Sequence, residues 1–307
     1  MKNITTKQFQ ILTDNQLVWD FMTETFAEDY SGGVPAPFFE YALTSSWMDK
    51  RYLHLCRLWL DGDKVAAFAF MESPATAIFF NLRPGYEELA GEMIDYAREY
   101  MPGGEAEQEL VLFSGQTALI AAAEQRGYTV AWEEGDYVID FDTAELDHRL
   151  PEGYCFADPL KCDPVRLAEC MWKGFDHEDK GPFVNWDAPI PDDSSWNPPK
   201  AYNGIISSIM SPPPHSTYGK DILIANADGE YVCYAGMWWV ERCGLAYMEP
   251  LCTVPEHRGK GLAAAALSEL YRRLKPLGAK MMTGGGSEFY RRIGYNRQIR
   301  WLHMKKA

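Results

Sequence analysis

Tyr247-Met-Glu-Pro-Leu-Cys-Thr-Val-Pro-Glu-His-Arg-Gly-Lys-Gly-Leu-Ala-Ala264 is the most informative stretch of this 307-residue chain. Its apolar opening reads as a strand, Ala246–Val254, and Pro255-Glu256 turns the chain toward a helix expected over Gly261–Leu277. Leu267, Leu270, Tyr271 and Leu274 fall at helical spacing there. Gly259 and Gly261 permit a tight turn that brings backbone close to a ligand. Successive N–H groups then converge where the helix begins, and such a place suits an anion through both an amide nest and the helix dipole. Arg258 and Lys260 add positive charge suited to phosphate.

Outward from this stretch the elements repeat. Leu110–Phe141 reads strand, Ser-Gly, helix, Gly127-Tyr128, strand; Met281–Met304 reads strand, Gly-Gly-Gly, helix, Gly294-Tyr295, strand. Upstream of the first copy lie a helix over Asp14–Asp29, a second over Phe38–Asp49, and strands His54–Leu60 and Val65–Met71 about the hairpin turn Asp61-Gly-Asp63. A strand at Ala77–Leu82 and a helix at Tyr86–Tyr100 follow, and the half closes with strands at Thr129–Trp132 and Tyr137–Phe141. The second half has a strand at Leu150–Ala157 and a helix opened by Asp163-Pro164, with Pro at its favoured first position. A short helix at Ala201–Met210 and strands Asp221–Ala225 and Tyr231–Val240 then lead to the opening stretch. Repetition predicts two α+β units joined near Thr143–Leu150, residues 1–146 and 147–307.

Composition narrows the function. The formal charge is −15, but residues 1–146 hold 25 acidic and 9 basic side chains, whereas 251–307 hold 3 and 12. An acidic chain is a poor binder of nucleic-acid backbone, and a basic C-terminal segment still leaves room for a local anion site. No apolar run approaches the roughly 20 residues of a spanning helix. The opening residues MKNITTKQFQ lack the apolar core of a signal peptide. Seven cysteines with no CxxC pair point to reduced thiols, so a cytoplasmic protein without membrane association is expected. No metal site is expected either: after His177-Glu178, Gly181 stands where a second histidine would be needed, and Cys155, Cys162 and Cys170 lack ligand spacing. Gly284-Gly-Gly286 leaves too little chain behind it for a dinucleotide-binding βαβ unit.

Arg258-x-x-Gly-x-Ala263, following strand, Pro and Glu, resembles the acyl-CoA pyrophosphate loop of the GNAT N-acetyltransferase superfamily. Glu288-Phe-Tyr-Arg-Arg-Ile-Gly-Tyr295 resembles its closing signature, a Tyr four residues before Gly-aromatic. The resemblance implies two tandem GNAT-like units of α+β class, each a mixed, mostly antiparallel sheet flanked by helices. It implies acetyl-CoA as cosubstrate, with amides of Gly259, Lys260, Gly261, Leu262, Ala263 and Ala264 on the pyrophosphate and Arg258 beside them. It further implies that the backbone of Leu251, Cys252 and Thr253 pairs with the pantetheine arm. Tyr290 would protonate the leaving thiolate, and Glu249 would remove a proton from the amine, directly or through water. Where many members carry Asn, seven residues before the Tyr, this chain has Thr283.

The first half departs from the pattern. Its junction, Asn81-Leu-Arg-Pro-Gly-Tyr-Glu-Glu-Leu89, has one Gly, a Pro without an N–H and two carboxylates, and Ala123 stands where a Tyr would be. It reads as a degenerate copy without a CoA loop. Gly174–Lys200 falls where the family shapes its acceptor pocket; Asp176, Glu178, Asp179, Asp187, Asp192 and Asp193 beside Phe175, Phe183, Trp186 and Trp196 suit a cationic amine. The expected function is acetyl transfer from acetyl-CoA to a primary amine of a small molecule or peptide, by direct attack in a ternary complex. A non-catalytic acyl-CoA or small-ligand binding module and a transferase of another acyl group remain alternatives. The acceptor and the oligomeric state stay open.

Overall fold

The computed structural model describes residues 2–45, 48–180, 183 and 213–307, and divides the chain into two compact units. One consists of Met1–Leu43, Trp47–Asp136 and Gln298–Ala307; the other of Tyr137–Arg297 with Thr44–Ser46. The helix expected at Ala201–Met210 and most of the acceptor stretch, with Asp187, Asp192, Asp193, Trp186 and Trp196, lie outside the described residues.

In the first unit the strands are β1 (Ile4–Gln8), β2 (Arg57–Asp61), β3 (Lys64–Met71), β4 (Ala77–Leu82), β5 (Glu109–Phe113), the larger part of β6 (Tyr128–Asp140) and the chain's last strand, β12 (Arg297–Lys306). Their order is β1-β2-β3-β4-β5-β12-β6. Only β4 and β5 among the registered pairs of this unit run parallel. Helices α1 (Ile11–Glu24), α2 (Ala36–Thr44), α3 (Ala90–Tyr100), α4 (Gly104–Glu107) and α5 (Thr117–Glu124) complete it. The Val65–Met71 run is buried at every residue, as expected of a strand covered on both faces. Gly62, at φ 61°, makes the hairpin turn read from Asp61-Gly-Asp63.

The second unit contains the end of β6 with β7 (Tyr154–Ala157), β8 (Ile222–Asn226), β9 (Tyr231–Val240), β10 (Leu245–Thr253) and β11 (Met281–Thr283), in the order β6-β11-β10-β9-β8-β7. Among the registered pairs of its described residues, only β10 and β11 run parallel. The helices among its described residues are α6 (Pro164–Gly174), α7 (Leu262–Leu274) and α8 (Glu288–Ile293). Pro164 occupies the first turn of α6, and the Asp163 side chain accepts from Val165 N and Arg166 N, the cap its sequence announces. Side chains alternate across the sheet. Ile222 and Ile224 join Leu262, Ala266, Leu270 and Leu274 of α7, whereas Leu223, Tyr234 and Cys252 join Leu167, Met171 and Trp172 of α6. Both units are thus mixed, mostly antiparallel sheets with helices, the α+β class expected.

Three expectations change. The compact units do not divide at 146/147: the last strand belongs with the first unit, pairing β5 at Trp301↔Phe113 through Met304↔Leu110. Its ring explains why, since Trp301 lies among Phe113, Phe38 and Phe79 at centroid distances of 4.9, 6.1 and 6.2 Å. Conversely, Val138–Asp140 at the end of β6 pairs with β11 in the second unit. The strands expected at Thr129–Trp132 and Tyr137–Phe141 form one strand, Tyr128–Asp140, in which Glu133 and Glu134 are exposed. Strand β1, unread in the sequence, pairs β2 along its full length. Among the described residues no helix is long and apolar enough to cross a membrane.

Candidate active site

Strand β10 begins the site by breaking its own register. Met248 pairs with Met237 of β9, but the next pair is Leu251 with Ala235, so Glu249 and Pro250 together oppose Gly236. A bulge of this kind bends its strand. Gly236 makes room for it: a Cβ there would lie 2.3 Å from the Glu249 carbonyl oxygen. On its other edge β10 pairs with β11 only at Leu245 and Ala246, and β11 ends at Thr283. The backbone of Leu251–Thr253 therefore borders an opening rather than the next strand.

That opening is a cleft of about 610 Å³. After β10 the chain makes a single 3-10 turn at Pro255–His257 and then passes through Gly259 and Gly261, at φ 73° and 84°. A Cβ at either position would touch nothing, so the requirement for glycine is conformational rather than steric. Gly261 is the N-cap of α7 and supplies no side-chain cap. The first-turn amides of Leu262, Ala263 and Ala264 lack intrahelical partners by the geometry of any helix start, and they border the cleft. This donor set fits a pyrophosphate.

Tyr290 reaches the same cleft from α8, whose N-cap Ser287 accepts from Phe289 N at 3.3 Å. The residue is 9% exposed, and its ring meets Phe289 and Tyr295 edge-on at 5.2 and 5.1 Å. Tyr295 is fully enclosed; burial, then the neighbouring Tyr290, holds its phenol well above the ordinary value, and it donates to the Thr283 carbonyl at 3.3 Å. The Thr283 hydroxyl, at the position where many family members carry Asn, accepts from Met248 N at 2.7 Å and so ties β11 to β10.

Of the residues singled out in the sequence, Leu251, Cys252, Thr253, Arg258, Gly259, Gly261, Leu262, Ala263, Ala264 and Tyr290 line the cleft together. Lys260 is exposed and outside its lining, and Glu249 sits half-buried at the bulge, also outside it. Arg258 is committed to its own chain: Nε donates to the Thr253 carbonyl at 3.0 Å, and Nη2 to the Gly174 carbonyl at 2.9 Å and to Asp176 at 3.0 Å. Cys252 is buried, and a hydrogen bond with Cys170, then burial, holds its thiol well above the ordinary value, which disfavours a nucleophilic thiolate. Gly174, His257, Ser287, Phe289 and Ile293 also line the cleft and were not read from the sequence. Ser287 was legible as the cap before Glu288; nothing marks Gly174, whose missing Cβ would stand 2.8 Å from Cys252 Sγ. His257 Nδ1 lies 2.9 Å from Tyr154 Oη. No group of three or more metal-capable side chains occurs among the described residues.

The first unit uses the corresponding strand end differently. Leu82 N donates to the Gly32 carbonyl at 3.1 Å, and Asn81 Nδ2 to the Val34 carbonyl at 2.8 Å. A Cβ on Gly32 would lie 2.2 Å from the Thr25 carbonyl oxygen, and one on Gly33 2.4 Å from Asn81 Cγ. Its own loop thus lies against β4. Arg83 is turned to the Val65 carbonyl at 2.8 Å and to Glu24 at 3.0 Å. A further cleft of about 670 Å³, beside Ser268 and Tyr271 of α7, is lined by both signs of charge, Glu145, Asp147 and Glu269 with Arg149, Arg272 and Lys275, and it has no glycine turn of left-handed backbone to gather amides.

Residues 182–295 match the family model described as acetyltransferase (GNAT) family, and the chain accordingly carries a GNAT-family domain. The fold is similar over nearly the whole chain to three solved structures. A GCN5-related N-acetyltransferase from Sphaerobacter thermophilus is 15% identical, covering 99% of this chain and 95% of that one at a TM-score of 0.56. A GNAT-family acetyltransferase from Colwellia psychrerythraea is 10% identical, with 99% and 100% covered and a TM-score of 0.59. A tandem GNAT protein from the clavulanic acid biosynthesis pathway is 12% identical, with 98% of each chain covered and a TM-score of 0.55. At such identities the likeness is one of fold. No curated protein matches the chain in sequence.

Proposed function

We propose that the second unit transfers the acetyl group of acetyl-CoA to a primary amine by direct attack in a ternary complex. The observation that carries this reading is the meeting, across one cleft, of the left-handed glycine turn at the start of α7 and the Tyr290 side chain. Amides from Gly259 to Ala264 hold the pyrophosphate, and the backbone edge of Leu251–Thr253 aligns the pantetheine arm. Tyr290 supplies the proton that the departing thiolate needs. Glu249, half-buried at the bulge and outside the lining of the cleft, takes the proton of the amine through water. The first unit is a degenerate copy whose strand end is covered by its own Gly32-Gly33 loop, and it binds no CoA. As repeats, the halves are 1–146 and 147–307, with their last strands exchanged between the compact units. The seven free thiols fit a reducing, cytoplasmic setting.

Calorimetric titration with acetyl-CoA, followed by thiol release against a broad panel of amines, tests the reading. Binding together with amine-dependent release supports it. Binding without turnover on any amine favours a non-catalytic binding module, and mass spectrometry of co-purified ligand identifies a different acyl group if one is carried.

A further inference from the structure

Gly284 and Gly285 follow β11 directly, in a Gly-Gly-Gly run that neither a dinucleotide loop nor a turn explains. Neither residue has the left-handed φ that would require glycine. Proximity does require it. A Cβ on Gly284 would stand 2.8 Å from Tyr290 Cδ1, and one on Gly285 3.1 Å from Tyr290 Cε2. Those two ring carbons are para to each other, so the two residues meet the ring at opposite positions. The Gly285 position lies at the phenolic end, its absent Cβ 3.7 Å from Cζ and 3.6 Å from Oη. This backbone is itself anchored, since Tyr137 N donates to the Gly285 carbonyl at 3.0 Å and a Cβ on Gly284 would also meet the Tyr137 carbonyl oxygen at 2.7 Å. Phe289 and Tyr295 close edge-on around the ring.

We infer that Gly284 and Gly285 are positioning residues for the Tyr290 hydroxyl, a bare backbone surface that sets where the phenol can stand. The inference rests on the reading of Tyr290 as the acid. In that step, with the nucleophile already bonded to the acyl carbon, the oxyanion re-forms the carbonyl as the C–S bond breaks, the electron pair of that bond passes to sulfur, sulfur takes the Tyr290 proton, and solvent returns a proton to the phenolate. A displacement of the hydroxyl therefore acts on thiolate departure and leaves the pyrophosphate contacts alone.

Gly285→Ala is the informative variant, because its methyl group presses on the ring at Cε2; Gly284→Ala would also strike a backbone oxygen and endanger folding. Gly285→Ala is expected to lower kcat about tenfold, consistent with the sensitivity of catalysis to sub-ångström misplacement, with acetyl-CoA affinity held within about twofold. Turnover is read as thiol release with the best amine of the panel and, independently of any acceptor, with water. In a Tyr290→Phe background the same substitution should cost nothing further, because the hydroxyl it displaces is gone. An equal loss in both backgrounds overturns the inference while leaving Tyr290 as the acid; full activity of Tyr290→Phe overturns both. A third readout needs no turnover. With carbon-13-labelled tyrosine, the Tyr290 ring signals, assigned by their loss in Tyr290→Phe, should move in Gly285→Ala, and unmoved signals overturn the inference.

Discussion

Arg258 donates from Nη2 to the Asp176 carboxylate at 3.0 Å. The loop's arginine, read from sequence as charge for a phosphate, is thus partly neutralised by a carboxylate read from sequence as a contact for a cationic amine. Asp176 stands at φ 57°, a conformation Asn tolerates, so Asp176→Asn removes the charge with little backbone strain. The Thr253 and Gly174 carbonyls still hold the guanidinium. Both partners are exposed, so the effect is modest: acetyl-CoA should bind about two- to threefold more tightly at low salt, and the gain should fade at high salt. Titration calorimetry at two ionic strengths checks this. A raised KM for the amine with unchanged acetyl-CoA affinity would instead make Asp176 an acceptor contact.

Gly261 separates conformation from charge in the anion loop. At φ 84° with open space about its absent Cβ, Gly261→Ala meets no clash but forces an L-residue into the left-handed region, at about 1–2 kcal/mol. Acetyl-CoA affinity should fall about tenfold if that strain is relieved by opening the turn. Gly261→Glu adds a carboxylate at the helix start and should abolish binding. Normal affinity in Gly261→Glu would remove the loop from the cofactor site.

The thiols should be chemically silent where they are buried. Burial pushes Cys56 and Cys233 up to about 12, and Cys252 is held high by Cys170 and by burial, whereas Cys155 is exposed. Alkylation of the native protein near pH 8 should modify Cys155 and spare these three until unfolding, since the thiolate is the reactive form. Cys252→Ala should keep most of its turnover. Rapid native alkylation of Cys252, or loss of turnover on its removal, would revive a covalent route.

Parts of the fold and the glycine turn of the cleft were legible because they rest on local rules. Left-handed glycines before a helix, Asp163-Pro164 at the start of α6 and the apolar run of β3 each follow from adjacent residues. What escaped depends on distant parts of the chain. Trp301 joins Phe113 in the first unit's core, the Arg258 guanidinium meets Gly174 and Asp176, and Gly284 lies where a Cβ would strike the Tyr137 carbonyl oxygen. Strand β1 escaped for another reason: Ile4–Gln8 buries none of its side chains fully, so its pattern carries little apolar signal. The sequence order of two repeats also concealed the exchange of their last strands, because either pairing of β12 satisfies the same alternation.

Asp136 makes the first unit's stability depend on pH in a direction opposite to ordinary acid denaturation. Burial, then the charge of Glu134, raises its carboxyl from 3.8 to about 6. The folded state therefore holds this proton more tightly than the unfolded chain does. The contribution is complete below about pH 4 and is lost as the pH rises through about 6. Asp136→Asn is neutral at every pH and keeps the shape of the protonated side chain. It should be more stable than the parent by about 3 kcal/mol well above pH 6, and no more stable below about pH 4. Urea unfolding of the two proteins near pH 4 and near pH 7.5 checks this, read on the transition reported by Trp132 and Trp301. An equal difference at both pH values would mean that the Asp136 carboxyl is already ionised in the folded protein, and that its half-buried position is open enough to water to hold the charge.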